Sequence, residues 1–186
     1  MGFWHDWRER RRLRSRAEVY ARAAWAEPAD ADVRWLAEHA TGGDEDHARW
    51  ELRYCGRALA LLVAERDALD DRSAAAVSHA LIGLFDRDRG VAAERVRVAQ
   101  RQFNSRLARY REALRERGGG SHAERLASAL LAVASGQLPA EAPDAYIVGV
   151  IDGFLTAAQS RLSDGFGVAE LPEHVRPSEA LSRSRR

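Results

Sequence analysis

Apolar residues recur every three or four positions along nearly the whole chain, and no useful stretch alternates apolar with polar as a half-buried strand would. From Phe3 to about Trp25, Trp4, Trp7, Leu13, Val19 and Tyr20 are interleaved with arginine, and Pro28 ends the segment. A short helix is predicted around Asp32 to His39, stopped by Gly42-Gly43. The third helix runs from about Asp44 to Glu65. Its first residues Asp44, Glu45 and Asp46 suit a positive helix end. Trp50, Tyr54, Arg57 and Leu61 form one stripe of that helix, and Leu52, Cys55, Leu59 and Leu62 the adjoining one, which together make a wide buried face.

Asp67 to Asp71 reads as a turn in which Asp71 or Ser73 caps a fourth helix carrying Val77, Leu81, Leu84 and Phe85 on one side. After the loop Asp86-Arg87-Asp88-Arg89-Gly90, a long fifth helix within 91–117 steps through Val96, Ala99, Phe103, Leu107, Tyr110 and Leu114. Gly118-Gly119-Gly120 ends it. Ser121 and Glu124 then have the spacing of a capping box at the start of a sixth helix to about Ala134. The last helix spans about Asp144 to Leu162. The expected fold is therefore all-α: a single bundle of six or seven helices, with the third, fifth and seventh supplying most of the core. Its parts are a basic N-terminal helix (1–27), the bundle (28–164) and a loosely attached C-terminal tail (165–186) with Pro172 and Pro177.

Composition sharpens this reading. Hydrophobic residues make up 46% and charged residues 31%, too apolar for a disordered chain. All the basic side chains are arginine, and with abundant alanine this points to a GC-rich bacterial genome. Cys55 is the single cysteine and sits in an apolar helical run, which fits a reducing, cytoplasmic setting. No run approaches the roughly 18 apolar residues of a membrane span, and the N-terminus lacks a signal-peptide core.

The formal net charge of +1 conceals a segregation. Residues 1–16 hold six Arg against Asp6 and Glu9, and residues 94–117 hold eight Arg against three Glu; between them, 27–90 hold fourteen acids against eight Arg. Such alternation fits solvated helix faces, self-pairing into a homo-oligomer, or docking on a charged partner.

One internal echo stands out. Ala60-Leu61-Leu62 precedes Leu69 just as Ala129-Leu130-Leu131 precedes Leu138, each run ending an apolar helix before a turn and another helix. With Ala134-Ser135-Gly136-Gln137-Leu138-Pro139-Ala140-Glu141 at the second turn, this resembles the helix-turn-helix repeat of TerB-like proteins, the tellurite-resistance family. The resemblance covers about residues 45–165. It implies a compact helical bundle tied to stress responses, metal binding or membrane-associated assemblies. Ser135 stands where the family's second turn carries an acidic residue, and Asp67, Asp70 and Asp71 are offset from its spacing in the first.

Candidate chemistry is sparse. Asp67, Asp70 and Asp71 offer hard oxygen ligands for calcium or magnesium, or serve as caps; no EF-hand spacing is present. His5, His39, His47, His79, His122 and His174 form no metal-binding pair, although His39 and His47 flank the Gly42-Gly43 turn and are candidate zinc ligands. There is no nucleophile elbow, phosphate-binding glycine loop or dinucleotide fingerprint, so no enzyme and no cofactor are expected. The expected function is that of an interaction or scaffold protein. It would dock through Phe3, Trp4, Trp7, Arg8, Arg11, Arg12 and Arg14 on a partner protein or an anionic membrane surface, peripheral to the inner face. The alternatives are nucleic-acid binding through Arg97, Arg101 and Arg106 of the fifth helix, and a metal-responsive TerB-like domain using Asp67, Asp70 and Asp71.

Overall fold

Helix α3 (Glu45–Asp67) is the axis of the molecule and touches every other helix: α1 (Gly2–Ala24), α2 (Asp30–His39), α4 (Asp71–Phe85), α5 (Val96–Arg115), α6 (His122–Ser135) and α7 (Ala145–Phe166). The computed structural model describes residues 2–68, 70–85, 87, 92–116 and 120–167, leaving out the side chains of residues 2–6 and 93. Among the described residues the fold is all-α, with seven α-helices, a 3-10 turn at Ala93–Arg95 and no strand. The central place of α3 follows from its sequence. From Ala58 to Ala64 every side chain is buried, and a helix apolar on all sides must be enclosed by neighbours.

Around it, α5 buries Phe103, Leu107 and Tyr110, α7 buries Ile147, Ile151 and Leu162, and α6 adds Leu126, Leu130 and four alanines. Helix α1 lies along α4 in the same direction: Leu13 and Arg16 stand by Ser73 at the start of α4, and Trp25 meets Phe85 at its end, ring centroids 4.7 Å apart. It runs opposite to α7, with Tyr20 edge-on to Phe166 and the Ala23 carbonyl accepting from Arg161.

Helix ends follow the predicted chemistry with instructive shifts. Asp44 accepts the His47 N–H, Asp144 accepts that of Tyr146, and Ser121 with Glu124 forms a complete capping box. At α4 the capping residue is Asp70, whose carboxylate accepts the Ser73 N–H at 2.7 Å, rather than Asp71 or Ser73. The last helix continues past Leu162 and through Gly165 to Phe166, because Phe166 is buried against Tyr20 and helical backbone is what brings it there. The two echoed segments sit on α3 and α6. Leu138 of the second is 77% exposed, outside the core, and Leu69 lies outside the described residues.

Candidate functional site

The two halves of α1 have different surroundings. Ala17, Tyr20 and Ala21 are buried, and the Tyr20 hydroxyl donates to the Ala60 carbonyl at 2.8 Å, so the second half is fastened to α3. Before Ala17, Arg8, Arg10, Arg11, Arg12, Arg14 and Arg16 are all exposed. Trp7 is 47% exposed, with the Arg11 guanidinium 5.5 Å from its ring centroid. Trp7, Arg11 and Arg14 fall at i, i+4 and i+7 and share one outward face, flanked by Arg8. Arg12 lies round the helix from them. Phe3 and Trp4 are helical, and their side chains lie outside the described residues.

On the other side of this half-helix is a groove of about 640 Å³, bounded by Glu9, Arg10, Arg12, Leu13 and Arg16 of α1, by Asp70, Arg72 and Ser73 at the start of α4, and by Phe166. Nothing in the sequence brings Arg72 near residues 10–16.

Three arginines of the basic fifth helix are paired with carboxylates, two of them across to α3. Arg106 makes two hydrogen bonds to Glu51, through Nε at 3.1 Å and a terminal nitrogen at 2.5 Å; Arg111 pairs with Glu65 and Arg109 with Glu112. Of the three nucleic-acid candidates, Arg97 and Arg101 are exposed and Arg106 is bound to a buried carboxylate. Glu51 is not among the residues that the sequence motifs point to. It is 2% exposed, in a helix whose neighbouring positions Leu52, Tyr54 and Cys55 are all core. A carboxylate within an apolar stripe was the available signal, since such a group must find a cation. It forms one wall of a cleft of about 720 Å³ between α3 and α5, lined also by His47, Trp50, Tyr54 and Gln102. There the His47 Nε2 is 3.4 Å from Glu51, and the Tyr54 hydroxyl donates to Gln102.

The metal candidates are dispersed. Asp67 is buried beside Arg66 and Gln159, Asp70 caps α4, and Asp71 is exposed in the first turn of α4. His39 stacks on Trp35 at 4.2 Å between ring centroids, with its Nδ1 2.8 Å from the Trp35 carbonyl, while His47 faces Glu51. Among the described residues no group of three or more His, Cys, Asp or Glu is placed to hold a metal ion. His5, His174, Asp86 and Asp88 are outside that description. Cys55 is fully buried against Tyr110; burial pushes its thiol up to about 12 and raises the Tyr110 hydroxyl as well. Such a thiol is not a poised nucleophile.

No described helix is long and apolar enough to cross a membrane. No known family, curated protein or solved structure matches the chain.

Proposed function

We propose that the protein is a non-enzymatic docking module that attaches to an anionic membrane surface through the first half of α1. The supporting observation is the division of that helix: Ala17, Tyr20 and Ala21 are held in the core while Trp7, Arg8, Arg11 and Arg14 stand exposed. A helix with a fastened second half presents its first half as a rigid arm, so little conformational entropy is lost on docking. Guanidinium groups meet lipid phosphates, and an exposed tryptophan suits the headgroup layer, where its ring is half in apolar and half in polar surroundings. Arg106, Arg109 and Arg111 of α5 are already paired with Glu51, Glu112 and Glu65, which leaves α1 as the stronger of the two basic surfaces.

The test is co-sedimentation with vesicles of phosphatidylglycerol and phosphatidylcholine, beside vesicles of phosphatidylcholine alone. Binding is expected only to the anionic vesicles. It should weaken steeply with salt and be lost in Arg8→Glu/Arg11→Glu/Arg14→Glu, with Trp7→Ala weakening it further at high salt. A native chain that stays in the supernatant with both vesicles would overturn the membrane reading and turn attention to an acidic protein partner.

A further inference from the structure

The groove between α1 and the start of α4 collects more positive charge than its neighbours neutralise. Arg10, Arg12 and Arg16 of α1 and Arg72 of α4 line it, against the two carboxylates Glu9 and Asp70. Asp70 already accepts the Ser73 N–H of its own helix. Arg72 sits in the first turn of α4, beside the exposed Asp71, and the groove still keeps a net positive charge with that carboxylate included. Four arginines around one groove leave positive charge that a dianion between them offsets.

A phosphomonoester carries close to two negative charges at neutral pH, and its terminal oxygens accept from several guanidinium forks at once, which a single carboxylate does not match. The groove, at about 640 Å³, is of the size of small-molecule sites and has room beyond a phosphate. Leu13 and Phe166 supply apolar wall for an organic remainder. We propose that this groove binds a small organic phosphomonoester, with Arg12, Arg16 and Arg72 holding the phosphate and Leu13 and Phe166 contacting the rest. The site lies round α1 from Trp7, Arg11 and Arg14, so it stands apart from the docking face.

Calorimetric titration at low ionic strength with phenyl phosphate, inorganic phosphate and benzoate tests this. Phenyl phosphate is expected to bind at least about tenfold more tightly than either of the others, since each lacks one half of the recognised chemistry. Arg16→Gln and Arg72→Gln should each weaken it by about tenfold, the loss of one charge-assisted contact, whereas Arg97→Gln on α5 should leave it unchanged. All three positions are exposed, and circular dichroism verifies that the variants are folded. Equal affinity for benzoate and phenyl phosphate, unaltered affinity in Arg72→Gln and Arg16→Gln, or no heat with phenyl phosphate at millimolar concentration would each overturn the assignment.

Discussion

Arg106 grips Glu51 with two parallel hydrogen bonds across the α3–α5 contact, and Glu51 is almost wholly enclosed while Arg106 keeps about a fifth of its side chain in water. Removing only the cation leaves a carboxylate in the core with His47 as its nearest remaining base. Arg106→Ala is therefore expected to lower the unfolding free energy by roughly 3 kcal/mol, whereas Glu51→Met/Arg106→Met should recover most of that loss. Urea denaturation of the single and the double variant gives the comparison, and equal losses in both would refute it.

Arg57 sits beneath two rings. Its guanidinium carbon is 3.5 Å from the Trp25 centroid and 5.4 Å from that of Phe85, with Arg57 itself 2% exposed. A buried cation with an aromatic face is worth about 2 kcal/mol. Trp25→Leu should cost about that much in stability and Trp25→Phe distinctly less, read from the midpoints of thermal unfolding. Equal losses would mean that an aromatic face over Arg57 contributes nothing there.

The capping box at α6 predicts a pH signature. Hydrogen bonds from Ser121 hold the Glu124 carboxyl below its ordinary range. A depressed carboxyl stabilises the fold above its unfolded pKa of about 4.3, and that contribution fades as pH falls through the lower folded value. The difference in melting temperature between the native chain and Glu124→Gln should accordingly be largest near neutrality and shrink below about pH 4. A constant difference would contradict it. Ser121→Ala is expected to cost about 1 kcal/mol.

Gly120, just before that box, has φ +85, and a Cβ there would overlap the Glu124 carboxylate. Gly120→Ala should therefore destabilise by more than 1 kcal/mol or so, since both backbone conformation and cap are disturbed. A stability change smaller than that of Ser121→Ala would show that the turn relaxes freely.

At the alkaline end, burial raises Cys55 to about 12 and also raises Tyr20 and Tyr110. The unfolded thiol ionises near pH 8.5, so the unfolded state releases its proton first and stability falls from there up to the folded value. Reaction of Cys55 with a thiol reagent at pH 8 should be slow and keep pace with unfolding, and Cys55→Ala should lose less stability between pH 8 and 10. Rapid modification of the folded protein would disprove the buried assignment.

Much of the fold was legible because helix formation is local. Spacing, the Gly42-Gly43 break and the Ser121–Glu124 pair lie within a few residues of what they control. The departures are long-range. Helix α7 reaches Phe166 because Tyr20 waits for it, and Asp70 caps α4 where two neighbouring candidates looked equally apt. The basic and acidic segments were visible as runs, but which charges meet was not.

By itself, then, the amino-acid order determined an all-α chain, the approximate limits of its helices, the apolar stripes and the basic character of α1 and α5. All of these depend on backbone hydrogen bonding and periodicity within single segments. Only the tertiary structure decided which helices enclose α3, that Ala17, Tyr20 and Ala21 fasten α1 while the arginines before them stay exposed, and that Arg106 belongs to Glu51. It alone brought Arg72 to the groove beside Arg12 and Arg16. Residues some sixty positions apart share a surface only once helices have packed, and that packing is set by the fit of all the faces together rather than by any one of them.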